Sequence, residues 1–315
     1  MSGDYFSLGV GSNSREVWRV NEDGVCRDPF NKLTKVFEMS EKSFFDYFST
    51  EGDMENHRTD EYDKECRDFE DRLTARCDER DFPFTKVWIA SKIIRLIPQD
   101  AFIHFSILGS LRAGDFFRLP VGVRGNCNVG GFGIDGPVST LLGASLANKD
   151  KLHFLMVGDL AFFYDMNALG NRHVGNNVRI LLVNNGDGTE FRMHWHPVSA
   201  FSKEEADRYI SAGGHFGNQS HSLVKHYAED LGFEYMQATS KEEFMKVSSH
   251  FLSAQPAEKP MFLEVFTNSE DDAWAVNVAR TLVKDRKIEL KQKTRKFLSS
   301  VLGAKAMKMI KGLIR

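Results

Sequence analysis

Two oxygen-bearing side chains about two dozen residues apart carry the strongest chemical signal in the chain. Asp159 sits in Gly158-Asp159-Leu160-Ala161 and Asn185 in Asn184-Asn185-Gly186-Asp187-Gly188. Each follows an apolar run, residues 152–157 and 178–183. Such runs suit strands of a parallel sheet buried on both faces, and residues just past their carboxyl ends meet at one edge. A carboxylate and a side-chain amide meeting there could clamp Mg²⁺ onto a diphosphate, because that ion takes oxygen ligands and leaves part of its octahedral shell to phosphate. The tight Gly186-Asp187-Gly188 turn can aim a backbone carbonyl at the same ion. Backbone N–H groups of Leu160 and Ala161, opening a helix, would face the phosphate. Gly-Asp and Asn-Asn are each ordinary turn or cap sequences; their spacing and strand-end placement together carry the signal.

Elements able to place these residues alternate along the chain. The pattern predicts a helix over 85–96, a strand over 101–108, a glycine-rich loop over 126–136 and a helix over 137–147. It continues with strand 152–157, helix 161–172, strand 178–183, a polar loop to about 218, helices 222–231 and 241–252, and strand 261–265. Five or six such units make an α/β fold, a doubly wound, mainly parallel sheet with helices on both faces. Ahead of it, residues 5–37 read as short strand pieces around Asn21-Glu22-Asp23-Gly24, and residues 40–80 as charged helices with a polar linker near 51–60. Three parts are therefore expected: 1–82, 83–283 and 284–315.

Composition narrows the function classes. The 315 residues carry a net charge of −3, and 42% are hydrophobic and 27% charged. Cys26, Cys66, Cys77 and Cys127 lack paired short spacing, so neither a zinc knuckle nor a disulfide framework is expected. With no signal-like start and no apolar run near 20 residues, a cytoplasmic location is expected. Eleven Lys or Arg between Lys284 and Arg315 make the tail basic. Phe297, Leu298, Val301, Leu302, Ile310 and Leu313 can form an apolar stripe there, which suits a peripheral membrane contact, a partner-binding helix or a solvated extension. No nucleic-acid module accompanies the charge.

At this point the chain resembles a family. Gly158-Asp159-Leu160 followed by Asn184-Asn185 is similar to the diphosphate-binding signature of thiamine-diphosphate (ThDP) enzymes. The stretch Gly158-Asp159-Leu160-Ala161-Phe162-Phe163-Tyr164-Asp165-Met166-Asn167-Ala168-Leu169 looks most like 2-succinyl-5-enolpyruvyl-6-hydroxy-3-cyclohexene-1-carboxylate synthases, as does Asn128 to Thr140. Trp18-Arg19-Val20 to Arg27-Asp28-Pro29 resembles the end of that family's middle domain. The resemblance implies that Asp159, Asn185 and the carbonyl of Asp187 ligate Mg²⁺, and that Gly133, Ile134, Gly158, Leu160 and Ala161 contact ThDP. Ile134 would be the apolar wedge that keeps ThDP bent. A 2-oxo acid decarboxylase or carboligase is implied, with Arg112 as a candidate substrate ligand.

Departures from the family pattern are local. Val129 stands where the family has arginine, and Ile107 and Leu108 where it has Asn-Ser. No residue here matches the glutamate of the pyrimidine-binding domain, which protonates the cofactor ring. The expectation is thus half of a composite site, without a catalytic residue of its own, completed in a homo-oligomer or a hetero-oligomer with a pyrimidine-binding domain. The alternative is a non-catalytic scaffold or interaction module that keeps the fold. With altered substrate positions and a basic tail, the resemblance implies cell-surface polysaccharide biosynthesis as the setting. His194-Trp195-His196 invites a metal hypothesis, and loop 189–218 a lid.

Overall fold

Strands with apolar residues on both faces require helices on both sides, and the second part of the chain is built this way. A computed structural model of the protein describes residues 14–283, apart from 51–56, 130, 132, 195, 215–219 and 256. The expected basic helix of 284–315 and part of the expected linker lie outside the described residues. The chain divides into two units, Met1–Arg67 and Asp68–Arg315. In the first, β1 (Val17–Val20) and β2 (Leu33–Phe37) pair in parallel, and Trp18 and Phe44 pack against Phe37. Phe44 lies on α1 (Glu41–Thr50), and α2 (His57–Glu79) runs across the boundary between the units. Among the described residues no helix is long and apolar enough to cross a membrane.

The second unit runs α3 (Lys86–Ile93), β3 (Phe102–Phe105), α4 (Gly109–Gly114), β4 (Arg124–Cys127), α5 (Pro137–Ala147), β5 (His153–Gly158) and α6 (Asp159–Asp165). It continues with β6 (Val178–Asn184), α7 (Lys203–Tyr209), α8 (Leu223–Asp230), β7 (Glu234–Ala238), α9 (Lys241–Phe251), β8 (Met261–Phe266) and α10 (Ser269–Ala279). Six strands form one all-parallel sheet in the order β4-β3-β5-β6-β8-β7. Alternate residues feed two cores. Phe154, Met156, Leu181, Val183 and Leu263 pack with Ile89, Phe244 and Val276 on one face. Leu155, Val157, Ile180, Leu182 and Phe262 pack with Leu141, Phe162 and Val224 on the other.

The doubly wound α/β sheet expected from the sequence is present, and its strand order creates a crevice. From β3 the chain steps outward to β4, then crosses back to β5 on the opposite side, so order reverses between β3 and β5. In such sheets ligands bind outside the carboxyl ends of the strands at that reversal.

Several elements differ from the sequence expectation. Edge strands β4 and β7 arise from the polar stretches RGNC and EYMQA, which lack an apolar run because each has a strand on one side only. The helix expected over 161–172 starts at Asp159 and gives way to a 3₁₀ turn at Met166–Gly170. Asp165, at its end, accepts hydrogen bonds from the backbone N–H and hydroxyl of Ser139 in the first turn of α5. Among its described residues, loop 189–218 forms 3₁₀ turns at Thr189–Arg192 and Pro197–Ala200 and α7, opened by a Ser202/Glu205 capping box.

Two buried polar groups in the sheet carry testable costs. Arg179 on β6 is fully buried, donating to the carbonyls of Phe251 (2.6 Å), the last residue of α9, and of Ser253 (2.5 Å) and Gln255 (3.1 Å) beyond it. Arg179→Leu strands those carbonyls and is expected to cost about 3 kcal/mol in urea unfolding. Its distance in sequence and fold from the strand tips leaves ligand binding intact.

His104 on β3 lies against His153 on β5, with ring centroids 5.8 Å apart. Burial, helped by the neighbouring His153, pushes the His104 pKa down to about 4. The folded chain therefore keeps His104 neutral where the unfolded chain, with a pKa near 6.5, takes up a proton. The stabilisation is fully present above about pH 6.5 and is lost as pH falls toward 4, a total of about 3 kcal/mol. Urea unfolding between pH 7.5 and 4.5 should show this decline, and His104→Phe should flatten it; an unchanged slope in the variant would refute the assignment.

Candidate functional site

Gly158 ends β5 in an extended conformation and Asp159 opens α6, so the Asp159 carboxylate emerges at the strand tip, only 3% exposed. Its Oδ1 accepts from the N–H of Leu160 (2.9 Å). Its Oδ2 accepts from the N–H groups of Gly186 (2.7 Å) and Asn185 (3.2 Å), just past β6. One carboxylate thus ties the two strand tips together. Gly186 turns the chain there with φ +82°, a region that glycine enters without penalty.

The Asn185 amide is oriented from behind. Its Nδ2 donates to Thr189 Oγ1 (2.7 Å) and Asp272 Oδ2 (2.8 Å). A carboxylate only accepts, so the nitrogen must face Asp272 and Oδ1 must point the other way. Asp187 N–H approaches that Oδ1 at 3.4 Å. The Asp187 carboxylate pairs with Arg192 (2.7 Å), and its carbonyl accepts from Thr189 N–H (3.1 Å). Burial raises the Asp187 pKa against the opposing pull of the Arg192 guanidinium.

Above these groups is a cavity of about 130 Å³, walled by residues 106–110 after β3, by Gly158 to Ala161, by Asn185 and residues 187–191, and by Ile134 and Lys86. It opens at the reversal of strand order. Pockets that take drug-sized ligands run from roughly 300 Å³ upward, so the described walls form only part of such a site. Ile134 reaches the cavity while packing on the core of one sheet face. Its loop is closed by Asn128, whose Nδ2 donates to Gly136 O (3.1 Å) and Thr140 Oγ1 (2.8 Å). Gly133 is not among the cavity walls; a side chain there would strike Asp135.

Arg112 on α4 forms an ion pair with Glu190, a wall residue. His196 Nδ1 accepts from Val198 N–H (3.2 Å) and caps a 3₁₀ turn, while Trp195 lies outside the described residues. Among the described residues no group of three or more His, Cys, Asp or Glu is gathered as for a metal ion. A metal held at the strand tips must therefore draw on amide, carbonyl and ligand oxygens besides Asp159. That donor set is all oxygen, the set Mg²⁺ prefers.

The segment after the turn straps it in place. Gly188 N–H donates to Ser211 O (2.7 Å), Gly214 N–H to Gly186 O (3.3 Å), and Arg192 pairs with Asp207 as well as Asp187. Behind the tips, Glu264 on β8 accepts from Asn184 (2.8 Å) and from the Tyr235 hydroxyl (2.7 Å), and burial raises its pKa.

Sequence reasoning missed Lys86 and Asp272. Asp272, fully buried, accepts from Lys86 N–H (2.7 Å), Asn185 Nδ2 and the Thr267 hydroxyl (2.7 Å). The available signal was weak: a lysine in the first turn of an apolar helix, against the helix dipole, and three consecutive acids opening α10, of which only Asp272 is buried.

An all-parallel sheet whose order reverses at a cavity, with a carboxylate from one strand tip bound to the next, makes this a doubly wound α/β ligand-binding fold, and its relatives assign it to the ThDP-binding class. Within that class the chain is a relative of the 2-succinyl-5-enolpyruvyl-6-hydroxy-3-cyclohexene-1-carboxylate synthases. It is 33% identical to the synthase of Phocaeicola vulgatus over 259 residues, covering 82% of this chain and 43% of the relative. With that of Bacteroides thetaiotaomicron it shares 31% over 279 residues, 89% of this chain and 46% of the relative. With that of Christiangramia forsetii it shares 34% over 188 residues, 59% of this chain and 30% of the relative. The chain thus spans less than half the length of these curated relatives. No family profile matches it.

Proposed function

We propose that the chain is the ThDP- and Mg²⁺-binding part of a decarboxylase or carboligase acting on a 2-oxo acid, completed by a pyrimidine-binding domain. The observation that carries this reading is the Asp159 carboxylate held by the N–H groups of Asn185 and Gly186 beneath a cavity at the sheet's reversal point. Asp159, Asn185 Oδ1 and the Asp187 carbonyl hold the metal; the backbone of Leu160 and Ala161 lies at the diphosphate, and Ile134 at the cofactor's bend. When bound, ThDP supplies a centre that stabilises the carbanion left by loss of CO₂. The chain's own residues bind the diphosphate, orient the metal and keep one wall of the site dry. The small cavity supports completion by a second domain or subunit. Calorimetry on the full chain tests the reading: ThDP should bind with Mg²⁺ and fail to bind to a folded Asp159→Ala variant. Absence of Mg²⁺-dependent ThDP binding both to the unaltered chain and to that chain together with a pyrimidine-binding domain would overturn it.

A second reading, a non-catalytic module that retains the fold, draws on the Arg112–Glu190 pair and the apolar Ile107 and Leu108 in the cavity wall. With Glu190 taking up the guanidinium, a substrate carboxylate has a weaker claim on it. Release of CO₂ from any 2-oxo acid, dependent on this chain in the presence of a pyrimidine-binding domain, would exclude that reading.

A further inference from the structure

We propose that the Lys86 ammonium is a second cation for the diphosphate, binding a phosphate oxygen beside Asn185; this rests on the diphosphate site proposed above. Lys86 opens α3 behind its N-cap Thr85, is 5% exposed, and forms part of the cavity wall. Its Nζ lies 3.3 Å from Thr189 Oγ1 and 3.7 Å from Asp272 Oδ2. The first contact is long and the second is outside hydrogen-bond range, whereas an ammonium carries three donors.

Asp272 balances the charge without serving those donors. Its Oδ1 is taken by Lys86 N–H, and its Oδ2 by Asn185 Nδ2 and the Thr267 hydroxyl. The ammonium and the Asn185 amide converge on the same Thr189 and Asp272 oxygens, so Lys86 stands next to the proposed metal ligand. Space over it is kept by Gly109, where a Cβ would lie 3.1 Å from Nζ. The preceding Leu108 holds φ +70°, ψ −112°, a conformation that a residue with a side chain rarely adopts. Such strain persists where surrounding structure enforces it, and it clusters at ligand sites.

A buried cation short of hydrogen-bond acceptors at a cavity wall attracts an anionic oxygen strongly, since charge-assisted hydrogen bonds gain where water is excluded. The divalent ion leaves the diphosphate with residual negative charge, which Lys86 offsets. Phosphate binding consequently survives removal of the divalent ion in part.

Calorimetry of the full chain with ThDP and with inorganic pyrophosphate, each in Mg²⁺ and in EDTA, tests the proposal. The unaltered chain should bind pyrophosphate weakly in EDTA. Lys86→Met should lose that binding and bind Mg²⁺–ThDP about tenfold to a hundredfold more weakly, while Lys86→Arg keeps most of both. Should Lys86→Met fail to fold, Lys86→Met/Asp272→Asn removes both buried charges and, compared with Asp272→Asn alone, which keeps the cation, is expected to show the same loss. Pyrophosphate and ThDP affinities unchanged in a folded Lys86→Met or double variant would overturn the role of Lys86 alone. No binding of either ligand in Mg²⁺ to the unaltered chain, alone or together with a pyrimidine-binding domain, would overturn the cofactor site itself.

Discussion

Asp159→Ala is expected to abolish Mg²⁺-dependent ThDP binding and to lower stability by about 2–4 kcal/mol. Both effects follow from one carboxylate with two duties. Its Oδ2 accepts the N–H groups of Asn185 and Gly186, and alanine leaves these buried donors without an acceptor, at about 1–3 kcal/mol for each fully buried group. The same carboxylate supplies the only anionic side-chain ligand proposed for the metal. Asp159→Asn separates the duties: its side-chain oxygen can still accept from the strand tip, but it carries no charge. The asparagine variant should unfold in urea nearer the unaltered chain than the alanine variant does, yet bind Mg²⁺–ThDP far more weakly than the unaltered chain. Equal ThDP affinity in Asp159→Asn would remove the carboxylate from the metal site.

Asp272→Ala is expected to cost about 3–5 kcal/mol in urea unfolding, the range for stripping one partner from a buried charge pair. The carboxylate is fully buried and faces the Lys86 ammonium at 3.7 Å. Its loss also releases the Asn185 amide and the Thr267 hydroxyl. Asp272→Ala/Lys86→Met removes both charges and should recover part of the stability, giving a coupling energy above about 1 kcal/mol in a double-mutant cycle. ThDP affinity should not recover, because the amide has lost its anchor and the cavity its cation. A single-variant cost below 1 kcal/mol would mean that water reaches the pair.

The layered architecture was legible because β5, β6 and β8 are buried on both faces and read as mainly apolar runs, each carrying a single polar residue ahead of its tip, His153, Arg179 and Glu264. Asp159 and Asn185 were legible because they immediately follow two of those runs. Edge strands β4 and β7 were not: a strand paired on one side keeps polar residues, and its periodicity fades. Nor was α10, whose acidic first turn reads as surface although Asp272 lies inside it. Lys86 and Asp272 are 186 residues apart, and their meeting depends on α3 and α10 packing at the same end of the sheet. No local spacing encodes that contact. The Arg112–Glu190 pair is hidden for the same reason, being a contact between segments 78 residues apart.

The central claim, that the tips of β5 and β6 share one divalent ion bound to a diphosphate, is tested most directly by a crystal structure with ThDP and Mn²⁺ measured for manganese anomalous scattering. The account predicts a single peak within about 2.0–2.3 Å of an Asp159 carboxylate oxygen and of Asn185 Oδ1, with diphosphate oxygens completing its shell. ThDP bound with the manganese peak elsewhere, or the Asn185 amide turned away from it, would contradict the account.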